Sequence, residues 1–225
     1  MRYVHLVREV SIPFQIRLSH MDRSKTKLTV LDQITDADRV RKKIIDAASE
    51  LYAKKGFNAT SIQEISEAAG VSLPVTYHYV KKKSEIMRMI MEDVLNMFHD
   101  NLLDMIQGIH DPEEKLAIAT RLYFRVVDQQ RKKALLIYQK SNSLDKASKA
   151  RVMQLEVEVS SIFGEMIKDG ITQGVFKKVD VDLMTYNILM AAHTWVLKRW
   201  HFKNRLTLDK YIDLQLSNIL CLLRK

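Results

Sequence analysis

The stretch TSIQEISEAAGVSLPVTYHYVKKK, residues 60–83, decides the fold of this chain. It reads as two short helices joined by a tight turn. Thr60 is placed to cap the first by accepting from the backbone N–H three residues on, while Gln63 reaches back to the cap residue's own N–H. Ile62, Ile65, Ala68 and Ala69 recur at helical spacing and give one apolar face. Gly70 ends the helix, because a left-handed residue is cheap there only for glycine. Val71 plugs the turn and Ser72 supplies a second cap. Pro74 falls in the first turn of the next helix, where its missing N–H costs nothing. That helix, Leu73 to about Val80, carries Tyr77, His78 and Tyr79 and runs into Lys81, Lys82 and Lys83. The whole has the form of a helix-turn-helix, whose second helix is built to lie in the major groove of DNA. Helix–glycine–helix corners also occur in plain bundles, and a lysine run is usually a solvated surface, so the flanking sequence has to weigh in.

Upstream, DRVRKKIIDAASELYAKK (Asp38 to Lys55) places Val40, Ile44, Ala47, Ala48 and Leu51 on one face and ends at Gly56 and Phe57. A head of three helices with short connections is laid out in this way. The aromatic and hydroxyl groups of its last helix can touch base edges and phosphates, and the lysines supply charge against the backbone.

The run IIDAASELYAKKGFNATSIQEISEAAGVSLPVTYHYVKKKSEI resembles the N-terminal domain of the tetracycline-repressor (TetR) family of transcriptional regulators. The matching features are Ala48, Leu51, Tyr52, Gly56 and Phe57, then Thr60, the segment ending in Gly70-Val71-Ser72, and Tyr77-x-Tyr79-Val80-x-x-Lys83. Val75 and Thr76 depart from it, standing where the family more often has threonine and a large apolar residue. Motif and resemblance together put Thr60, Ser61, Ser72, Leu73, Pro74, Val75, Tyr77, His78, Tyr79 and Lys83 on DNA. Tyr77, Tyr79 and Lys83 read as backbone anchors, and Leu73, Val75 and Thr76 as the base-reading surface.

Composition agrees. With 225 residues the chain can bury a substantial core, and six glycines, three prolines and few alternating β-branched runs make it all-α. A formal charge of +9 favours a polyanionic partner, informative here because it clusters near the second helix of the motif. The single Cys221 excludes an internal disulfide framework and suits a reducing cytoplasm; within an apolar helix it reads as a small buried hydrophobe. No stretch is long and apolar enough to span a membrane, and Arg8, Glu9 and Arg17 break any secretory signal, so a soluble, cytoplasmic protein is expected. Residues 1–35 have no clear period; a basic arm, a tail or an upstream mis-start with Met21 as the true start compete, and tail or mis-start is favoured.

Residues 36–83 are thus predicted as the DNA-binding domain and 84–225 as a helical rear domain. Its helices are expected from Ser84 (as cap) to Gln107, from Pro112 (capped by Asp111) to Gln130, over Lys132–Ser141, from Asp145 to Gln173, from a cap at Asp180 through Trp200, and from Leu208 (capped by Thr207) to Leu223. About nine helices in this order match the plan of the family, which implies a homodimer paired through the last two long helices, a palindromic double-stranded operator and release by a small molecule that shifts the helix after the head. Ile212, Leu214, Leu216, Ile219, Leu220 and Leu223 spread over more than one stripe, a surface that needs cover on more than one side.

Met97, Phe98, Tyr123, Phe124, Tyr138, Phe163, Met166, His193 and Trp195 are the polarisable candidates for lining an effector pocket, although such residues more often make core. The segment KRWHFKNRLTLDKY, Lys198 to Tyr211, is similar to a stretch of TetR-family members that regulate fatty-acid or steroid degradation and respond to acyl-CoA thioesters. That likeness implies an apolar tunnel with Lys198, Arg199, Lys203 and Arg205 at a basic mouth; a solvated helix end explains the same residues. No catalytic motif, cofactor motif or metal spacing is found, and Glu156 and Glu158 point to different sides of a helix, so no enzyme is predicted. The competing function is a helical ligand-binding or scaffolding protein without DNA binding.

Overall fold

The structure, a computed structural model, describes residues 35–140 and 144–225. The N-terminal extension at 1–34 lies outside the described residues. The described chain forms α1 (Asp36–Lys55), α2 (Ile62–Ala69), α3 (Leu73–Tyr79), α4 (Lys83–Ile106), α5 (Pro112–Gln129), α6 (Arg131–Lys140), α7 (Lys146–Thr172), α8 (Val181–Leu197), the single-turn α9 (Arg199–Phe202) and α10 (Leu208–Leu223). Its one non-helical pairing is an isolated bridge between Phe176 and Arg224. The predicted helix from Asp180 through Trp200 therefore breaks at Lys198, and the extra α9 raises the count among the described residues from the nine expected to ten.

The first turn of α1 is held locally, with the Thr35 hydroxyl and the Asp38 carboxylate bonded at 2.7 Å and Arg39 paired to Asp36 at 3.1 Å. From Ile44 onward α1 buries Ile44, Ile45, Ala48, Ser49 and Tyr52, a stripe rotated slightly from the one expected through Val40, Ala47 and Leu51. The Tyr52 and Phe57 rings meet at 5.1 Å, and Ile65 of α2 is fully buried. Gly70 adopts φ 62°, the left-handed stop the sequence required.

Two caps differ from expectation. Ser61, not Thr60, caps α2: its Oγ accepts from the Glu64 N–H at 3.2 Å, and the Glu64 carboxylate accepts from the Ser61 N–H at 2.8 Å. A glutamate is the stronger partner here, since its charge also offsets the helix dipole. Bonds to Lys55 and then to Ser61 hold the Glu64 carboxyl down at about 2. Thr60 is buried instead, its hydroxyl donating to the Gly56 carbonyl at 2.8 Å. Ser84 is likewise no cap: Lys82 takes that position, and the Ser84 hydroxyl donates to Asp145.

Behind the head, α4, α5, α7 and α8 pack their apolar faces together, with α10 closing over α5 and α8. Asp111, Asp180 and Thr207 cap α5, α8 and α10 as predicted, and Asp145, expected as the first residue of its helix, caps α7. Cys221 departs from its reading as a buried hydrophobe: it is exposed, next to the exposed Leu222.

After α7 the chain doubles back so that the Phe176 ring covers Gly170, and the Phe176 N–H donates to the Gly170 carbonyl at 2.9 Å. A Cβ at Gly170 would lie 2.1 Å from Phe176 Cδ2. Phe176 is 1% exposed and has nowhere to move. Helix propensity alone would favour alanine by about 1 kcal/mol, but overpacking costs up to about 3 kcal/mol. Gly170→Ala is therefore expected to lose about 2 kcal/mol net, read as a lower urea midpoint at fixed protein concentration.

Candidate functional site

The start of α2 exposes Ser61, and the turn between α2 and α3 with the outer face of α3 exposes Ser72, Pro74, Val75, Tyr77 and His78. Leu73 and Tyr79 are half-buried, and the His78 ring stands edge-on to Tyr79 at 5.6 Å. Ser72 occupies the cap position of α3 without a side-chain cap bond; its carbonyl accepts from both the backbone N–H and the hydroxyl of Thr76. Thr76 is fully buried, so it drops out of the predicted base-reading surface, and Thr60 drops out of the contact set for the same reason.

The lysine run is used internally. Lys83 Nζ donates to the carbonyls of Phe57 at 2.9 Å and Asn58 at 3.1 Å and sits 5.0 Å over the Phe57 ring. It staples the α1–α2 turn to the start of α4, where the sequence reading had made it an anchor to DNA. Lys81 Nζ donates to the Tyr77 carbonyl at 2.8 Å, and Lys82 pairs with Asp145 at 3.0 Å.

The predicted effector residues fall into two groups of rings. In one, Phe98 stacks on Phe163 at 5.6 Å and Tyr123 stands edge-on to both. Tyr123 Oη lies 2.8 Å from His193 Nε2, and the Tyr138 hydroxyl bonds His193 Nδ1. A neutral imidazole carries one donor and one acceptor, so one tyrosine gives its proton to the ring and the other receives the ring N–H. Burial pushes both phenols above their ordinary range and pushes the Glu156 carboxyl, which repels them, up as well. Met166 packs within the same core and half-buried Met97 against it.

Phe124 and Trp195 belong to the other group. Both pack on Tyr211, at 6.1 and 5.0 Å, and Trp195 Nε1 donates to Asp128 at 2.9 Å. Arg199 shares that carboxylate at 3.1 Å and lies 5.6 Å over the Trp195 ring. Of the predicted basic mouth, Arg199 is thus committed internally and Arg205 bonds His201, while Lys198 and Lys203 are exposed beside the 70% exposed Trp200.

Burial lowers His193 to about 4 from its ordinary 6.5. Between those values the unfolded chain binds a proton that the folded one refuses, so stability falls as pH drops through this window and levels off below it. The loss amounts to up to about 3 kcal/mol. The raised Glu156 carboxyl acts with the opposite sign above pH 4.5 and trims the low end. His193→Gln, which keeps polar partners for both tyrosines, is expected to flatten the slope of unfolding free energy between pH 4 and 6.5. An unchanged slope would show that the titrating group lies elsewhere.

Sequence reasoning missed two contacts. Lys133 on α6 pairs with Asp93 of α4 at 2.7 Å and Asp46 of α1 at 3.3 Å, and Asp145 joins the starts of α4 and α7. Nothing local marks either, because the partners lie tens of residues apart.

Fold and site define a helix-turn-helix regulator with a helical rear domain, and comparison with known proteins names its family. Residues 44–90 match the bacterial regulatory proteins of the tetR family, and residues 110–204 match the tetracyclin repressor-like C-terminal domain. The chain is 30% identical over 196 residues to the HTH-type transcriptional regulator HbdR of Aromatoleum sp. (strain CIB), covering 86% of this chain and 85% of that protein. Its fold is similar to the fatty acid degradation regulator FadR from Bacillus halodurans (TM-score 0.68, 20% identity, 80% of this chain and 97% of that one). It is similar too to AibR, solved in complex with isovaleryl coenzyme A and operator DNA (TM-score 0.66, 22% identity, 80% and 97%). The chain belongs to the TetR family of transcriptional regulators.

Proposed function

We propose that this protein is a repressor that binds a palindromic operator as a homodimer and is released by a hydrophobic acyl thioester of coenzyme A. The exposed row Ser72, Pro74, Val75, Tyr77 and His78 carries the DNA-binding half of this reading. Residues 36–83 then form the DNA-reading head and 84–225 the effector and dimerisation domain, acting in the cytoplasm where the operator lies. Support for the dimer comes from large apolar side chains left exposed on α8 and α10: Leu183, Tyr186, Met190, Leu214 and Leu222. A two-fold pair of recognition helices demands a palindrome with half-sites about one DNA turn apart.

Support for the effector class comes from the cluster of polarisable rings formed by Phe98, Phe163, Tyr123 and His193, from the exposed Lys198, Lys203 and Trp200, and from the isovaleryl coenzyme A bound by AibR. Selection of bound sequences from genomic DNA is expected to return a palindrome. A panel of short, branched, long-chain and aromatic acyl-CoA thioesters, each beside its free acid, then tests release. Release by a thioester but not its acid supports the effector class, and no release by any thioester overturns it; a monomer by light scattering overturns the dimer. A ligand-binding or scaffolding protein without DNA binding draws its support from the internal use of Lys81, Lys82 and Lys83, and wins if no sequence is selected.

A further inference from the structure

α3 and α4 are separated by a short linker, and one carboxylate from far along the chain grips its end. Asp145 Oδ2 accepts from the Ser84 hydroxyl at 2.6 Å and pairs with Lys82 Nζ at 3.0 Å. Its other oxygen, Oδ1, accepts from the Ser148 N–H at 3.0 Å and caps α7. Ser84 and Ser148 are both buried, so the junction is packed as well as charged. The positive ends of α4 and α7 thus share one negative group, which favours its ionised form. The bond from Ser84 and the others hold the Asp145 carboxyl well below the usual carboxylate range. Lys82, the cap residue of α4, contributes no side-chain cap of its own. α7 thus grips the start of α4 from the rear, beside the Lys83 bonds that tie it to the α1–α2 turn.

α7 is also the helix that carries Val159, Phe163 and Met166 into the rear core, where Phe163 meets Phe98 and Tyr123. Phe163 lies 18 residues beyond Asp145, about 27 Å along a continuous helix. α7 is unbroken between the two residues, so a shift of the whole helix at the Phe163 ring would be carried to Asp145. From Asp145 it reaches Lys82, three residues after the last residue of α3.

The geometry points to Asp145 as the positioning residue that couples the aromatic cluster of the rear domain to the DNA-reading helix, through its junction with Lys82 and Ser84. This route runs along α7 and rests on the reading of the protein as an effector-released DNA binder. It requires two states of the junction: closed, with Lys82 on Asp145 as seen here, and open, with α3 freed to turn relative to α7.

The test uses Asp145→Asn and Lys82→Met in the full chain. Asparagine is a good helix cap: its one oxygen still accepts from the Ser148 N–H and spares α7, while its NH2 replaces Oδ2, which removes the negative charge facing Lys82 and the acceptor for the Ser84 hydroxyl. The first readout needs neither effector nor DNA: hydrogen exchange at the Val80 amide, which donates to the Thr76 carbonyl at 3.0 Å. Both single variants are expected to speed exchange at Val80 at least tenfold, and the double variant no further. Exchange at Ser148, Lys149 and along α5 stays as in the parent. Unchanged exchange at Val80, or equal acceleration along α5, overturns the proposal. The second readout is the factor by which an active thioester from the panel weakens operator binding; Asp145→Asn is expected to cut it at least fivefold. If no thioester acts, the effector reading fails, while the exchange measurement still decides the junction.

Discussion

Lys133→Ala is expected to lower unfolding free energy by about 3 kcal/mol, the low end of what breaking one side of a buried ion pair costs. The Lys133 side chain is 8% exposed, and its ammonium group lies 2.7 Å from Oδ2 of Asp93, whose side chain is only 17% exposed. Truncation leaves that carboxylate in a poor medium, and it also strips the buried lysine stem from the interface of α6 with α4. Asp46, the second partner at 3.3 Å, is about half exposed and gains water in return, which keeps the cost from rising further. Lys133→Met separates the causes, because it restores the stem and not the charge. Combining it with Asp93→Asn should recover part of the loss, giving a coupling energy well outside the error of urea midpoints compared at one protein concentration. Additive losses in that double variant would show that Lys133 acts through packing alone.

What the chain reveals of itself before folding depends on the range over which each device works. Gly70 as a left-handed stop, Pro74 in a first turn, and the caps at Asp111, Asp145, Asp180 and Thr207 act within four residues of themselves, and every one stands where local rules place it. The choice between Thr60 and Ser61 turned on the third residue after each, glutamine or glutamate, with the carboxylate winning at a positive helix end. Ser84 looked like another local cap and is not, because Asp145, 61 positions away, competes for its hydroxyl.

Site residues follow the same division. Residue type and spacing found Phe98, Tyr123, Tyr138, Phe163 and His193, which do come together, but periodicity could not separate them from Phe124 and Trp195, which share a core yet pair with Tyr211. Lys83 shows the limit most plainly. A lysine after an aromatic helix reads as a phosphate anchor, and only the three-dimensional return of the α1–α2 turn, 25 and 26 residues back, supplies two carbonyls that claim it.

That reassignment bears on the largest expected effect of all, in the recognition helix. Val75 and Tyr77 are 42% and 43% exposed, while Thr76 between them is fully buried. Base-edge contacts are worth about 1–3 kcal/mol each. Val75→Ala combined with Tyr77→Ala is therefore expected to weaken binding to the selected operator by about 100-fold or more while leaving the unfolding midpoint unchanged. Thr76→Val should show the reverse: the hydroxyl that bonds the Ser72 carbonyl is lost, the helix start loosens and stability falls, with operator sequence preference retained. Lys83→Ala belongs with Thr76, since it releases the Phe57 and Asn58 carbonyls and the ring beneath the ammonium. Its binding defect should track its stability defect and shrink under conditions that restore folding. If Lys83→Ala instead weakens binding at full stability and lowers the salt dependence by about one phosphate contact, then Lys83 leaves its carbonyls for the DNA backbone on binding. Val75 and Tyr77 stay the expected base-contacting pair in either case, because both are exposed on α3; for Tyr77 this expectation replaces its reading as a backbone anchor.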